Sequence, residues 1–362
     1  MGKMRSRIIP AVVLLWCGHF AGLAQGKGIP GGVPFTEAKP RVTTDTTNWD
    51  TDDPAIWINR KNPEKSLIIG TDKHADGALY AFDLKGKTVK RSGGLNRPNN
   101  VDVAYGFPFQ GETIDVAVVT ERMEQRIRVF KLPELEPIDQ GDLIVFDGNT
   151  ERAPMGIALY KRQKDQAFFV FVGGKSGPPE GYLAQYRLRE SSPGKLTMTL
   201  VRQFGTYSGK REIEAIVVDE ELGYVYYSDE RVGVRKYHAG PDTPGANNEL
   251  ALFATEGFAG DHEGISIYKC DRKTGYILVS DQQANRFRIY PREGSPHDPH
   301  RHPLVKVVQV TAVESDGSEV TSCALPGFPA GLFVAMSNGK TFHYYDWKAI
   351  AGDDLRSVKT PK

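Results

Sequence analysis

The chain is poor in cysteine, in histidine and in long apolar runs. Its 362 residues include 3 cysteines and 8 histidines. So few sulfur and imidazole ligands argue against a site built on zinc or copper. The first apolar run, IIPAVVLLW at 8–16, is too short to cross a bilayer comfortably, and nothing else in the chain is long enough. The sequence therefore predicts a chain without a membrane-spanning helix.

The chain also lacks an excess of charge of either sign. Lys and Arg number 46 against 45 for Asp and Glu, with a net charge of +1. This balance argues against a general field for nucleic acid or for acidic substrates, so any electrostatic function must come from local clustering. The length suffices for one large β domain or for two smaller ones.

The first residues have the features of a signal peptide. Three basic residues precede the short apolar run: Lys3, Arg5 and Arg7. The small residues GLA at 22–24 predict cleavage after Ala24, which leaves 25–362 as one secreted or periplasmic domain. Of the cysteines, Cys270 and Cys323 then remain, either as a disulfide or as two buried thiols.

A repeat sets the architecture. Six apolar runs each close in polar residues: SLIIGTDK (66–73), IDVAVVTER (114–122), AFFVFVGGK (167–175), GYVYYSDER (223–231), GYILVSDQQ (275–283) and GLFVAMSNG (331–339). An amphipathic strand follows each run and another precedes it, at a period of about fifty residues. The pattern predicts an all-β, six-bladed β-propeller rather than two β-sandwiches with coincidental spacing. The final unit lacks an outer strand, which residues 39–47 could supply from the N-terminus to close the ring.

The repeat also predicts where the charge gathers. In each blade the start of the first strand and the end of the second lie on one face. The starts carry Asp52, Asp53, Asn99, Asn100, Asp102, Glu212, Glu214, Asp261 and Glu263. The ends carry Asp72, Lys73, His74, Glu121, Arg122, Lys175, Asp229, Glu230, Arg231, Asp281 and Gln282. Converging carboxylates repel one another unless cations lie among them.

Oxygen ligands of this kind suit Ca²⁺, and Mg²⁺ less well. Lys73, Arg122 and Lys175 on the same rim indicate a polyanionic ligand, most plausibly phosphate. Each residue alone fits an ordinary turn, surface or loop position; placed together by the repeat, they favour a site. The histidine-containing stretch PHDPHRHP at 296–303 is expected to be a solvated loop.

Several motifs resemble one known family. DDPAIWIN, NPEKSLIIGTDK and NRPNNVDVAYGF are similar to motifs of the β-propeller phytases, the calcium-dependent, Bacillus-type phytases. The resemblance extends over nearly the whole mature chain in the family's order. It implies a six-bladed propeller that hydrolyses the phosphate monoesters of phytate, myo-inositol hexakisphosphate. It further implies several Ca²⁺ ions and attack by a metal-bound water.

The resemblance also implies roles for individual residues. The calcium ligands would be Asp52, Asp53, Asp102, Glu214, Glu230, Asp261, Glu263, Gln282 and Asp316. The catalytic set would be Glu214, Asp261, Glu263, Lys73 and Arg122, and the substrate-binding set Lys73, His74, Arg122 and Lys175. The chain departs from the family at three places, where it carries His74, Met155 and Val320–Ser322, with Glu319 as a possible stand-in for a missing acid.

Three other functions compete with this one. The same site could act on another phosphorylated compound, or calcium could stabilise a binding propeller without catalysis. A propeller lactonase is disfavoured by Lys73, Arg122 and Lys175. We expect a small phosphorylated substrate, no nucleic acid and no membrane partner. A monomer is expected because a closed ring hides its sheet edges.

Overall fold

The structure, a computed structural model, describes residues 29–358, so the predicted signal peptide lies outside the described residues. This part of the chain is almost entirely β, with one short α-helix, α1, at Trp347–Ala351. Five short 3₁₀ helices lie at Pro63–Lys65, Arg122–Glu124, Phe146–Gly148, Thr150–Arg152 and Gln282–Ala284. Within 29–358, no helix has the length and apolar character needed to cross a bilayer.

Six sheets of at least four strands make up six blades. Two short strands come first, β1 (Phe35–Glu37) and β2 (Val42–Thr43). Blade 1 holds β3 (Thr51–Trp57), β4 (Leu67–Asp72), β5 (Gly77–Phe82) and β6 (Thr88–Leu95). Blade 2 holds β7 (Pro98–Phe109), β8 (Glu112–Glu121), β9 (Arg126–Leu132) and β10 (Glu136–Pro137). Blade 3 holds β11 (Pro154–Lys161), β12 (Phe168–Gly174), β13 (Glu180–Ser192) and β14 (Lys195–Thr206).

The second half repeats this plan. Blade 4 holds β15 (Ile216–Asp219), β16 (Tyr224–Asp229), β17 (Gly233–His238) and β18 (Ala251–Phe253). Blade 5 holds β19 (His262–Lys269), β20 (Gly275–Asp281), β21 (Arg286–Pro291) and β22 (Lys306–Gln309). Blade 6 holds β23 (Ser318–Thr321), β24 (Leu332–Ser337) and β25 (Thr341–Asp346). The first strands of successive blades contact one another, and β23 contacts β3. The predicted six-bladed β-propeller is thereby confirmed.

The N-terminal segment adds an outer strand to each of the last two blades. Val42 pairs with Tyr344, so β2 lies antiparallel to β25. Phe35 pairs with Val307, so β1 lies parallel to β22 as a fifth strand of blade 5. The sequence pattern did not predict this second pairing, because a three-residue strand has too few alternations to be recognised.

The core is divided among the six gaps between neighbouring blades. Along β4 the side chains alternate: Ile68 packs toward blade 6 and Ile69 toward blade 2. The same alternation fills each of the other gaps with aliphatic and aromatic side chains. Both faces of every sheet are buried, so the strands appear in the sequence as apolar runs. These runs are the repeat that predicted the propeller.

A bulge recurs near the start of the innermost strand in four blades, where two residues oppose one on the second strand. The bulges lie at Thr51–Pro54, Pro98–Val101, Pro154–Ile157 and His262–Ile265. An extra residue bends the strand and redirects adjacent side chains. In blade 1 the redirected residues are Asp52 and Asp53.

The structure bears on two expectations about side chains, one for the 296–303 loop and one for the two cysteines. The 296–303 stretch is not simply solvated: His302 is buried and its Nε2 lies 3.3 Å from the ammonium of Lys236. That ammonium also donates to the carbonyl of Pro299 at 2.6 Å and lies over the ring of Tyr224, so the loop packs on blade 4. Cys270 and Cys323 are free thiols, half-buried and exposed respectively.

Candidate active site

A lysine between two aspartates lies at the centre of the predicted rim. The Nζ of Lys73 lies 2.5 Å from Asp52 Oδ1 and 3.3 Å from Asp316 Oδ2. Burial opposes the charge of Lys73, but attraction by Asp52, Asp316 and Glu214 outweighs it and raises the lysine pKa. Blades 1 and 6 thus meet through a cation that stays charged at any ordinary pH.

Three further acids of the predicted cluster, Glu214, Glu230 and Glu263, lie near this ion pair. Burial, together with repulsion from Asp52, raises the pKa of Glu214 well above its ordinary value. Burial and the neighbouring charges of Glu230 and Glu214 do the same for Glu263. The pKa of Asp316 rises to about 7 and that of Glu230 to about 8, in both cases chiefly through burial. Without further positive charge, these acids hold protons near neutral pH.

The donor atoms of the cluster fit calcium. Asp52 Oδ2 and Asn99 Oδ1 are buried and make no hydrogen bond within the described residues. Gln282 donates to Asp316, so it lies against the same acids. Carboxylate and amide oxygens are the ligands that Ca²⁺ prefers. Within residues 29–358, no group of three or more His, Cys, Asp or Glu side chains is arranged so that it could hold a metal ion. Cationic side chains such as Lys73 lie among the acids instead.

Asp53 and Asp102 face the central channel rather than the rim. Asp53 Oδ2 accepts the N–H of Val101 at 3.0 Å, and Asp102 Oδ2 accepts that of Leu159 at 2.7 Å. Each aspartate therefore caps the free edge of the next blade's innermost strand. Burial raises the pKa of Asp102 to about 7. Both line a channel cavity of about 820 Å³ that also contains Glu319.

The predicted substrate-binding residues do not all reach the acids. Arg122 is buried close enough to Glu212 and Glu214 for their charges to act on it, although burial lowers the pKa of its guanidinium. Lys175 pairs with Glu212 at 2.7 Å. The ring of His74 stacks on Trp49 at 4.2 Å, and its Nδ1 accepts the N–H of Asp76. His74 thus contacts the exposed Trp49 rather than the acid cluster.

Four other rim acids have structural partners. Each ends the second strand of a blade and accepts a backbone N–H from the segment that enters that blade: Asp72 from Asp50, Glu121 from Asn96, Asp229 from Ser208 and Asp281 from Ala259. In three of these blades an arginine of the third strand also pairs with the acid: Arg126, Arg235 and Arg286. These carboxylates hold the rim loops in place, although Asp72 Oδ2, like Asp52 Oδ2, is buried and makes no hydrogen bond within the described residues.

Sequence reasoning missed Arg211, the pairing of Arg231 with Asp261 and the position of Glu319 in the channel. Arg231 Nε donates to Asp261 Oδ1 at 2.6 Å, and Arg211 lies 3.7 Å from Asp261 Oδ2. Arg231 stands at the predicted end of a second strand, but nothing in the pattern joins it to Asp261 of the next blade. Glu319 lies in the channel, and burial raises its pKa to about 8.

Comparisons with known proteins show the family. The model of the Phytase family matches residues 33–351. A 3-phytase of Bacillus subtilis (strain 168) is 32% identical over 336 residues, which cover 87% of this chain and 83% of the relative.

Two solved propellers are similar in outline only. The crystal structure of BBS1N in complex with ARL6DN, soaked with lead, has a TM-score of 0.46 at 11% identity and covers 84% of this chain and 79% of that one. The structure of the Dos1 propeller has a TM-score of 0.42 at 12% identity, with 82% and 68% covered. Likenesses this distant do not bear on function.

The family match spans most of the chain, and the curated relative is similar over most of both lengths. They confirm the predicted family and the predicted enzyme class, a phosphoric monoester hydrolase. The chain belongs to the phytase family.

Proposed function

We propose that this chain is a calcium-dependent phytase that hydrolyses phosphate monoesters of myo-inositol hexakisphosphate at the blade 1–6 rim. The observation that carries the proposal is the acid cluster around Lys73, with Asp52 Oδ2 buried and unpartnered beside it. An array of carboxylates with raised pKa values requires cations to become fully ionised. The curated 3-phytase relative supports the substrate.

The residues that would hold calcium form one oxygen-rich set. They are Asp52, Asp53, Asp102, Glu214, Glu230, Asp261, Glu263, Gln282 and Asp316. Calcium, when bound, supplies positive charge to phosphate oxygens and lowers the pKa of a water, the proposed nucleophile. Asp53 and Asp102 would bind calcium from the channel side, and the other residues would bind it from the rim.

The protein's own cations orient the reacting phosphate. Lys73 and Arg122 are both largely buried, so their charges act in a medium poorer in water than the surface. Their N–H groups are suited to bind equatorial oxygens whose charge grows in the transition state. Since Lys73 is held by Asp52 and Asp316, little reorganisation is needed when substrate arrives.

The acids with raised pKa values are the groups available to take up the proton of the attacking water. Burial raises the pKa of Glu230 to about 8 in the ion-free chain, so this carboxyl would accept a proton from water only once bound cations have ionised it. Residues 29–358 hold two cysteines, and the pKa of each thiol is raised by burial. A raised pKa makes a thiol a poor nucleophile, which favours direct attack by water over a covalent phosphoenzyme.

Three attributes of the chain belong to the same proposal. The N-terminal signal would export it to the periplasm or the medium. It would work as a monomer, and its partner would be the small phosphorylated substrate alone. Size-exclusion chromatography of the purified mature chain would test the second of these.

The experiment measures kcat/KM in calcium for phytate and for p-nitrophenyl phosphate, glucose 6-phosphate and lower inositol phosphates. We expect phytate to be the best substrate, with free phosphate and no glycerol phosphate formed when glycerol is added. A higher kcat/KM for another ester would show that this ester, and not phytate, is the preferred substrate. Formation of glycerol phosphate would show that the reaction passes through a phosphoenzyme and not through direct attack by water.

A further inference from the structure

Two large apolar side chains are exposed on the rim. Trp49 is 44% exposed and Met123 is 59% exposed. Single exposed apolar residues are common on protein surfaces, but these two lie next to the proposed site. Trp49 stands three residues before Asp52 in the chain, and Met123 directly follows Arg122. They are therefore placed to touch the part of a substrate that lies outside its reacting phosphate.

Trp49 is held flat against His74. The centroids of the two rings lie 4.2 Å apart, and the ring planes are 19° from parallel. The backbone N–H of Trp49 donates to Oδ1 of the buried Asp72 at 2.9 Å. His74 Nδ1 accepts the N–H of Asp76 at 3.1 Å, which orients the imidazole. The indole is thus fixed by its backbone and by the imidazole, while much of its surface stays open to solvent.

The backbone joins this stack to the two cations that would hold the reacting phosphate. His74 directly follows Lys73. The N–H of Arg97 donates to the carbonyl of His74 at 2.8 Å, and the carbonyl of Arg97 accepts the N–H of Arg122 at 3.1 Å. The stack, Lys73 and Arg122 are therefore parts of one hydrogen-bonded unit at the junction of blades 1 and 2.

We propose that the Trp49–His74 stack, with Met123 on the Arg122 side, binds the carbon skeleton of the leaving group while Lys73 and Arg122 hold its phosphate. The ligand class is a phosphate monoester of a ring-shaped alcohol, whose C–H groups can lie flat on the indole. A short open-chain alcohol offers less apolar surface to cover that ring. This inference rests on the proposed function and names what the site selects outside the phosphate.

An indole suits this task because it binds without needing a charged partner. Covering its face with C–H groups removes apolar surface of both molecules from water. The contact is the same in the bound substrate and in the transition state, so it should act on KM more than on kcat. Trp49 is then a specificity-determining residue, and His74 is a positioning residue that acts through it.

The first test compares leaving groups in millimolar calcium. Trp49→Ala should lower kcat/KM for phytate and inositol 1-phosphate about tenfold, mostly through KM, and that for glycerol 2-phosphate less than about twofold. Trp49→Phe, which keeps a smaller ring, should fall between. His74→Ala should reduce the preference for ring-shaped esters by a smaller factor. Leu252→Ala, 40% exposed on the outer strand of blade 4, is the matched control and should change neither kinetic constant.

The second test observes Trp49 directly by fluorescence. Trp57 and Trp347 are buried, so Trp49 is the one tryptophan within residues 29–358 that a quencher in water can reach. Inositol hexasulfate, a ring-shaped ligand without phosphate esters, should reduce acrylamide quenching of the mature chain in calcium about twofold or more. Inorganic phosphate, which occupies the cations alone, should leave the quenching unchanged.

Equal losses for ring-shaped and open-chain esters in Trp49→Ala would overturn the inference. So would undiminished quenching at a hexasulfate concentration that calorimetry shows to be saturating, or no binding of the hexasulfate. Thermal melts identify any variant that fails to fold, and the quenching test needs no variant. If the wild-type chain releases no phosphate from phytate, the proposed function fails, and protection of Trp49 by the hexasulfate still decides the role of the stack.

Discussion

At the scale of single residues, the site is a balance between burial and charge. Glu214 and Glu263 are enclosed with acids on several sides, and burial with repulsion raises the pKa of both. Lys73 offsets only part of that charge, since it is one cation among many carboxylates. The residual need for positive charge is the physical reason to expect calcium here.

Glu214→Gln tests that balance. The variant keeps the shape of the side chain and removes one buried negative charge. We expect kcat in calcium to fall at least about a hundredfold, in line with the loss of a group acting at developing charge. The melting temperature in EDTA should change little, because the raised pKa already favours the neutral form of Glu214 in the ion-free chain and Gln is neutral too.

The matched control for this variant is Glu112→Gln. That side chain is 72% exposed at the start of β8, at the opposite end of the strand from the rim acid Glu121, so neither quantity should change. Full activity of Glu214→Gln would remove Glu214 from the site.

Sequence reasoning predicted the acids at this scale but not their partners. The repeat placed Asp52 and Glu214 together because strand ends have fixed positions in a blade, and the family resemblance added Asp316. It could not tell them from Asp72 or Asp281, whose carboxylates hold loop N–H groups. That distinction depends on the direction of each side chain, which a bulge or a neighbouring arginine decides.

At the scale of elements, glycine residues at the contacts allow neighbouring blades to approach closely. A Cβ on Gly156 of β11 would lie 2.0 Å from the carbonyl oxygen of Glu214. A Cβ on Gly317 would lie 2.3 Å from Asp53 Oδ1. The acid-bearing segments therefore sit where they do only because the adjoining innermost strand carries no side chain at the contact.

Gly156→Ala should displace the backbone of Glu214. Backbone oxygen cannot yield as a flexible side chain does, so we expect a loss of about 1–3 kcal/mol in the free energy of unfolding. Calcium affinity measured by calorimetry should fall as well, because Glu214 moves with its carbonyl. Gly31→Ala is the control: a Cβ there meets nothing within 4 Å and the backbone is not left-handed. Unchanged affinity and stability in Gly156→Ala would refute this account of the blade contact.

Element order was the part most accessible from sequence. Second strands such as Leu67–Asp72 are buried on both faces, and their apolar runs repeat at nearly regular spacing. The four bulges were not predicted, because one extra residue leaves the apolar pattern almost unchanged. The parallel pairing of Phe35–Glu37 was missed because a three-residue strand has too few alternations to be recognised.

At the scale of the whole molecule, the rim couples charge to stability. Without calcium, the folded-state pKa values of Glu230 and Asp316 are about 8 and about 7. Both lie above the values of an unfolded chain, about 4. The folded chain therefore binds more protons between about pH 4 and pH 8, and these groups make stability fall as pH rises through that window.

Urea unfolding in EDTA at pH 5 and at pH 8 measures this effect. The wild type should lose stability between the two values relative to Glu230→Gln/Asp316→Asn, which lacks both acids. The comparison matters because buried His302, whose pKa is lowered to about 4, acts in the opposite direction in both proteins. Calcium at pH 8 should restore the wild type by about 2.7 kcal/mol per site at a hundred times Kd. An equal pH dependence in the two proteins would contradict the coupling.

The central claim is that this rim hydrolyses phytate with calcium, and its most direct test is phosphate release by the purified mature chain near neutral pH. We predict rapid release from phytate in millimolar Ca²⁺, none in EDTA, and recovery when calcium is added back in excess. Release that persists in EDTA would contradict the metal-dependent account. No release in either condition, from a chain shown to be folded, would contradict the assignment of phytate itself.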